Sequence, residues 1–441
     1  MNIVMVGTGY VGLVSGTCFA EFGYQVTCVD KDINKINTLQ QGEVPIYEPG
    51  LKTLIHKNTK SNRLHFTTDL ATAVAQADIV FIAVGTPQNG SDGAADLQYV
   101  MKAADEIGTA MTGYTVIVNK STVPVDTAAQ LTNRLQKHHP EKEFDVVSNP
   151  EFLREGSAIE DFMTPDRVVV GALTQRAKKA MQTLYQPLVA QNIPLLITTP
   201  ETSELIKYAS NSFLATKIAF INELATLCEK TKANVQDVAR GIGLDHRIGT
   251  AFLNAGPGYG GSCFPKDTRA LATTARQLKA PLSIVEQVIA SNDQRKVHLA
   301  ERIVTIVKHA NPAAKTIAIL GVTFKPETDD MRESPSLVII PLLQEAGFIV
   351  RAYDPEGMPN AKMHLHNVSW CKDAYEAAHQ ADALVILTEW NEFKSLNFVT
   401  LKEKLSSPFM IDYRNLYQPT FMQQQGFTYH SLGRLPIKSK P

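Results

Sequence analysis

Asn2-Ile3-Val4-Met5-Val6-Gly7-Thr8-Gly9-Tyr10-Val11-Gly12 is the stretch whose reading decides the fold. A short apolar run, as expected of a strand buried on both faces, leads directly into GxGxxG. Leu13, Val14, Cys18, Phe19 and Phe22 then recur near helical spacing until Gly23 breaks the pattern. Val26-Thr27-Cys28-Val29-Asp30 reads as a second strand that ends in an acid. GxGxxG alone is a weak signal. Set between a strand and a helix, with an acid closing the next strand, it is a dinucleotide-binding fingerprint. Gly7, Gly9 and Gly12 let a pyrophosphate approach the backbone where free N–H groups and the helix dipole favour anions, with Tyr10 and Val11 in the same loop. Asp30 is placed to bind ribose hydroxyls and repel a 2′-phosphate, so NAD is expected rather than NADP; Lys31 and Lys35 weigh the other way.

Outward from this unit, residues 77–84 and 114–118 read as further buried strands. They end at Gly85-Thr86-Pro87 and Ser121-Thr122-Val123-Pro124. Ligands sit beyond the carboxyl ends of strands in open parallel sheets, so Thr86 and Thr122 are candidate contacts, with turn or cap roles as the alternative. Residues 145–148 form another strand, followed by Asn149-Pro150-Glu151-Phe152-Leu153-Arg154-Glu155-Gly156. Glu151 and Glu155 share one face if that segment is helical.

Thr199-Pro200 reads as an N-cap and a first helical position, opening a helix to about Lys230. Its apolar residues, Leu205, Phe213 and Phe220 among them, cover more than one face, so the helix is expected to be buried on several sides. Lys207 and Asn211 stand four apart and need polar partners in such a helix. Helical sequence resumes and continues to about His309. The strand-glycine-acid order then returns in residues 315–321, 350–354 and 381–387, which predicts a second doubly wound domain without GxGxxG. In its place stands a mixed-charge loop with Lys325 and Arg332 as candidate phosphate partners. The expected architecture is α/β: two Rossmann-like doubly wound domains, residues 1–199 and 311–441, joined by a long central helix and a helical middle domain, residues 200–310. Residues 437–441 read as a basic, poorly ordered tail.

The second concentration of chemistry is Gly256-Pro257-Gly258-Tyr259-Gly260-Gly261-Ser262-Cys263-Phe264-Pro265-Lys266-Asp267. Glycines permit a sharp turn close to a ligand. The cation of Lys266 favours a Cys263 thiolate, and the carboxylate of Asp267 suits proton transfer or positioning of water. The plainer reading is a turn with an inert buried cysteine.

Composition bounds the rest. The chain has 441 residues, 44% hydrophobic and 20% charged, with a formal net charge of −1. It has the core of two or three domains and no charge excess that points to nucleic acid or an anionic membrane. Five cysteines, Cys18, Cys28, Cys228, Cys263 and Cys371, are scattered without metal-ligand spacing. Free thiols, a cytoplasmic location and no metal are expected. No signal peptide and no membrane span are read from the sequence.

Taken in order, GTGYVGL, VGTP, STVP, NPEFLREG, ELIKYASN, GPGYGGSCFPKD, FKPETDDMRESP and TEWNEF resemble the nucleotide-sugar dehydrogenase family over nearly the whole chain. The resemblance implies oxidation of UDP-glucose to UDP-glucuronate with NAD. It implies Cys263 as nucleophile, with Lys207, Asn211 and Asp267 around the reacting carbon and Glu151 with Thr122 positioning water. It places NAD on Val11, Asp30, Lys35, Thr122, Glu155, Lys266 and Arg332. It places substrate on Glu151, Phe152, Leu153, Arg154 and Glu155, on Phe252, Leu253, Asn254, Ala255 and Gly256, and on Gly260 and Lys325. Arg247 would reach the substrate of a neighbouring subunit, in a homodimer formed through the central helix; Arg414 is a weaker match. A thiolate explains how an aldehyde intermediate regains a hydride to lose: it adds to give a thiohemiacetal, then a thioester that water cleaves. Two alternatives stay open: a related enzyme for UDP-N-acetylhexosamine or GDP-mannose, and a non-catalytic NAD-binding scaffold or redox sensor.

Overall fold

The computed structural model describes residues 1–89 and 93–438. The chain divides into two compact units: residues 1–210 with 273–279, and residues 211–272 with 280–441.

The N-terminal unit is built on β1 (Asn2–Val6), β2 (Gln25–Val29), β3 (Leu64–Thr67), β4 (Ile79–Ile82), β5 (Thr115–Asn119), β6 (Phe144–Ser148), β7 (Val168–Gly171) and β8 (Leu195–Thr198). Their order in the sheet is β8-β7-β6-β5-β4-β1-β2-β3. Neighbours run parallel except β6 and β7, which meet antiparallel at Ser148 and Gly171. Helices cover both faces, so strand residues alternate between two cores. Ile3 and Met5 enter one with the helix α1 (Tyr10–Glu21), and Val4 and Val6 enter the other. Each such buried side chain stabilises the fold by about 1.5–3 kcal/mol. That is why β1 carries no polar alternation. The order of strands reverses between β1 and β4, which puts the switch-point crevice at the carboxyl ends of β1, β4 and β5.

At the end of β5 the chain turns through Pro124 into α2 (Thr127–His138). Asp126 holds a left-handed φ of 81°, and Glu204 accepts hydrogen bonds from the N–H groups of Asp126 and Ala128, both at 2.8 Å. Glu204 belongs to the long helix α3 (Pro200–Thr231), so one buried carboxylate fixes the turn after Thr122 to this helix. The Thr199 hydroxyl accepts the N–H of Thr202 at the start of α3, as its sequence predicts. Its 32 residues span roughly 48 Å.

The expectation that α3 is buried on several sides fails on one stripe. Ala215, Ala219, Ile221 and Ala225 are buried, but Phe213, Phe220 and Leu227 are 66%, 52% and 55% exposed. Apolar content shows which helix faces are greasy, not which of them the same chain covers.

The second unit adds α4 (Phe264–Gln277), whose residues 273–277 group with the first unit, and α5 (Ser283–Ala310). Its sheet contains β9 (Thr316–Leu320), β10 (Ile349–Tyr353), β11 (Val368–Trp370), β12 (Ala383–Ile386), β13 (Phe409–Asp412) and β14 (Thr428–Ser431). They are parallel in the order β11-β10-β9-β12-β13-β14, the second doubly wound sheet that the sequence predicts. Of the expected tail, Ile437 pairs with Tyr429 in an antiparallel bridge, and residues 439–441 lie outside the described residues. Among the described residues no helix is long and apolar enough to cross a membrane.

Candidate active site

The predicted site residues fall into two sets, one in each unit. In the first, β1 delivers the glycine loop. A Cβ on Gly12 would fall on the carbonyl oxygen of Gly7, so α1 can start this close to β1 only with glycine there. A Cβ on Gly9 would meet no protein atom within 4 Å, so a side chain there would fill only the space in front of the helix N-terminus. That is the cradle a pyrophosphate requires, and the residues present fit a dinucleotide.

Asp30 completes the cradle. Its carboxylate accepts the Thr8 N–H at 2.9 Å, the Thr8 hydroxyl at 2.8 Å and the Asp32 N–H at 3.0 Å. Burial works against its ionisation, but these donors and Lys35 hold the carboxyl below the usual range. Thr86 donates its hydroxyl to the Thr122 carbonyl at 3.0 Å, which ties together the loops after β4 and β5. The Tyr10 phenol turns away from the glycine loop to Glu48. Glu48 also accepts the N–H groups of Gly156 and Ala158 at 2.7 and 2.8 Å. Sequence reasoning missed Glu48, which links the glycine loop to the segment that carries Glu155.

That segment is not the predicted helix. Residues 149–154 form an irregular turn, in which the Glu151 carboxylate folds back onto the Leu153 N–H. Glu151 and Glu155 therefore do not share a helical face. Glu151 instead bonds Lys207 at 3.0 Å and accepts the Leu153 N–H at 2.5 Å. Both members of the pair are buried, at 5% and 3% exposure. Burial alone would raise the Glu151 carboxyl, but Lys207, the Leu153 N–H and Lys120 hold it below its ordinary value. The Phe152 ring lies 3.7 Å from the Arg167 guanidinium and 5.3 Å from the Lys207 ammonium. Arg154 pairs outward with Asp161 at 2.6 Å. Lys120 is a second buried cation that sequence reasoning missed.

The second set surrounds Cys263. It immediately precedes α4, where the helix dipole favours a thiolate. Cys18, Cys28, Cys228 and Cys371 are buried, whereas Cys263 is only partly so. Burial pushes the thiols of Cys18 and Cys28 up to about 12. The Cys263 Sγ lies 3.5 Å from the Ser262 hydroxyl. Asp267 bonds back to Cys263 through its N–H at 2.8 Å. Its carboxylate, fully buried, accepts Asn211 Nδ2 at 2.6 Å and Lys266 Nζ at 2.7 Å. Lys266 is thus ion-paired with Asp267, which shifts the argument for thiolate from that cation to the helix end. Asn211 has the polar partner that its apolar helix demands.

The cysteine loop rests on the loop after β9. Gly261 has φ of +81°, and a Cβ there would come within 2.7 Å of the Phe324 ring. Gly261 donates its N–H to the Arg332 carbonyl at 2.8 Å. A Cβ on Gly260 would strike Glu333. Arg332 forks onto Asp330 at 2.8–3.0 Å, and the Lys325 ammonium lies 5.6 Å from the Phe324 ring. Arg414 donates to the carbonyls of Leu387 and Phe324, at 2.7 and 2.9 Å.

Phe252 carries a left-handed φ of 63°, costly for an aromatic residue, at the head of the segment 252–256. Gly256 at its end is clamped by Asn222 and Arg295, at 2.9 and 2.6 Å. Leu253, Asn254 and Ala255 join Arg414 around a cavity of about 280 Å³. Arg247 forks onto Asp245 and is exposed. Among the described residues no cluster of His, Cys, Asp or Glu could hold a metal ion.

Three family models cover the chain in succession: the NAD binding domain of the UDP-glucose/GDP-mannose dehydrogenase family at residues 1–189, its central domain at 201–294 and its UDP binding domain at 318–419. A UDP-glucose 6-dehydrogenase of Rhizobium meliloti is 54% identical over 98% of this chain and 100% of its own length. Among solved structures, a UDP-glucose dehydrogenase of Pyrobaculum islandicum is 36% identical, with TM-score 0.86 over 94% of each chain. A UDP-D-ManNAc dehydrogenase of Pyrococcus horikoshii is 25% identical, with TM-score 0.86 over 98% of this chain and 99% of its own. With its glycine cradle, cysteine loop and second nucleotide-type sheet each covered by a domain of one family, the chain belongs to the UDP-glucose/GDP-mannose dehydrogenases, which are oxidoreductases that use NAD.

Proposed function

We propose that this chain oxidises C6 of UDP-glucose to the carboxylate of UDP-glucuronate in two steps, through a thiohemiacetal and then a thioester on Cys263. The observation that carries this reading is the placement of Cys263. It is the one cysteine that is not buried, it sits at a helix N-terminus, and it adjoins an Asp267 carboxylate engaged by Asn211 and Lys266. The glycine loop, Asp30 and the Thr86–Thr122 pair would hold NAD, which when bound would supply the hydride acceptor, one molecule for each of the two oxidations. Cys263 adds to the aldehyde and so restores a carbon that can lose hydride again. Asn211 and Lys207, one turn apart on α3, donate to the oxyanion of each tetrahedral adduct. Asp267 or a water that it orders takes the alcohol proton. Glu151 with Thr122 positions the water that cleaves the thioester. The segments 151–155 and 252–256, with Gly260 and Lys325, hold the UDP-sugar. Lys35, Glu155, Lys266 and Arg332 complete the NAD contacts.

The division into domains 1–199, 200–310 and 311–441 belongs to the same proposal. So does a homodimer through α3, with Arg247 reaching the partner's substrate. The seven-residue spacing of the exposed Phe213, Phe220 and Leu227 supports it, because such a stripe suits a helix face on a second copy. Five free thiols suit work in a reducing cytoplasm.

NADH absorbance with UDP-glucose, UDP-N-acetylglucosamine and GDP-mannose in parallel tests the reading. UDP-glucose should give two NADH per sugar and far exceed the others. A preference for an N-acetylated sugar would move the chain to that branch, and no NADH with any of them would favour a scaffold.

A further inference from the structure

One buried cation has no part in the reading above. Lys120 follows β5 directly and is 4% exposed. Its ammonium lies 3.3 Å from Oδ1 and 3.5 Å from the carbonyl oxygen of Asn149. Asn149 is itself fixed from three sides. Its N–H donates to the Asn119 carbonyl at 2.9 Å, its Nδ2 to the Val169 carbonyl at 2.7 Å, and its Oδ1 accepts the Tyr185 hydroxyl at 2.5 Å. Asn149 thus joins β5, β6 and β7 just ahead of Pro150 and Glu151. A cavity of about 40 Å³ adjoins this group, lined by Lys120, Asn149, Glu151 and Tyr185 among others, with room for ordered water.

We propose that Lys120 is a positioning residue for the reaction: it supplies the second buried positive charge that holds Glu151 as a carboxylate and, through Asn149, fixes the turn that aims it. This rests on the role given above to Glu151. A buried carboxylate facing one ammonium is a matched pair. Facing two, it stays ionised even while one of them is drawn toward a substrate oxyanion, as Lys207 is in the proposed mechanism. Lys120 is the spare countercharge that lets Lys207 act in turn on Glu151 and on the reacting carbon.

The surroundings set the pH behaviour. Glu151 from the turn and Lys207 from α3 act on the Lys120 charge, Tyr185 lines the same cavity and bonds Asn149, and the Phe81 ring of β4 lies 6.0 Å from the ammonium. Arg167 and Asp161 stand farther along the cavity wall. Burial pushes the Lys120 ammonium down to about 8, with Lys207 adding to the effect and Glu151 opposing it. Lys120 is therefore charged below that pH and loses its proton above it, leaving Lys207 alone against Glu151.

The test compares wild type, Lys120→Met, Lys120→Arg and Glu151→Gln, each full length and saturated with NAD and UDP-glucose. Three readouts are taken: kcat against pH, KM for each ligand, and intact-protein mass after rapid quenching. Lys120→Met should lower kcat at pH 7.5 by roughly tenfold or more, with both KM values within about threefold, since a positioning loss falls on kcat. The acid limb of its pH profile should move upward, and a covalent sugar adduct should accumulate, as in Glu151→Gln. Lys120→Arg, whose extra atoms fit the adjoining cavity, should restore the wild-type acid limb. The proposal is overturned if Lys120→Met keeps the wild-type profile and builds up no adduct. It is equally overturned if Lys120→Arg shows the same defects as Lys120→Met, because packing rather than charge would then be at issue. If Lys120→Met does not fold, the Arg variant and the position of its acid limb still decide. Wild type that forms no NADH with UDP-glucose would instead strike the proposed function and is read first.

Discussion

Asp30 and Asp354 occupy the same place in two sheets. Each follows the second strand, and in each sheet the glycine after the first strand donates its N–H to the residue just before the acid: Gly7 to Val29 at 2.8 Å, and Gly321 to Tyr353 at 2.9 Å. Their surroundings then diverge. Asp30 is partly exposed and accepts three hydrogen bonds, two of them from Thr8. Asp354 is fully buried and accepts from Val322 N, Thr323 N, the Thr323 hydroxyl, Glu356 N, Gly357 N and Trp390 Nε1. After Gly7 the chain enters α1 at once. After Gly321 it makes a long loop before Ser336–Glu345, and the hydroxyls of Ser334 and Ser336 both donate to the Val322 carbonyl. One topology has thus been used twice, once with its crevice open to a dinucleotide and once with the matching acid consumed as a structural hub. A shared fold does not carry a shared site.

The strongest way to break this contrast is Asp354→Ala. It removes the acceptor of six hydrogen bonds, most of them from buried donors, and should destabilise the protein by more than about 4 kcal/mol, read as a collapse of the denaturation midpoint or loss of soluble protein. A mild effect would mean that Asp354 is not the hub described. Asp30→Ala is the counterpart. It should leave stability within about 1 kcal/mol and weaken NAD about 10–100-fold by calorimetric titration, the loss expected for hydrogen bonds to a charged group. Equal losses of stability in the two variants would erase the distinction.

The smallest effect concerns pH and the N-terminal unit. Burial pushes the Glu204 carboxyl up to about 7, against the pull of the two N–H groups at the start of α2. An acid whose pKa is raised on folding contributes stability below its unfolded pKa of about 4.3, and that contribution is lost as pH rises through about 7. Thermal melts of Glu204→Gln between pH 4.5 and 8 should show a flatter decline than wild type. An unchanged slope would remove Glu204 as its source.

The first sheet and its glycine loop could be read because their signals are local: one strand, three glycines and an acid within thirty residues. Lys207 and Asn211 stood out as polar interruptions of an apolar helix. Glu48, Glu204 and Lys120 gave no such sign, because their partners lie far along the chain: Gly156 and Ala158 for Glu48, Asp126 and Ala128 for Glu204, Asn149 for Lys120. Only the position of Lys120, directly between a buried strand and Ser121-Thr122-Val123-Pro124, was a clue. The four-residue spacing of Glu151 and Glu155 suggests a helix, but Glu151 takes its partners from Lys207 and the Leu153 N–H, which spacing alone does not show. Phe213 and Phe220 were misjudged because a helical wheel does not say which greasy face the same chain covers.

The central claim is that one sulfur carries the substrate while a separate sheet holds the cofactor. Cys263→Ser tests it most directly, with steady-state NADH formation and NAD affinity measured on the same preparation. The account predicts that turnover falls by at least about 1,000-fold, as for loss of a covalent nucleophile, while NAD affinity stays within about twofold. Turnover within about tenfold of wild type would contradict it.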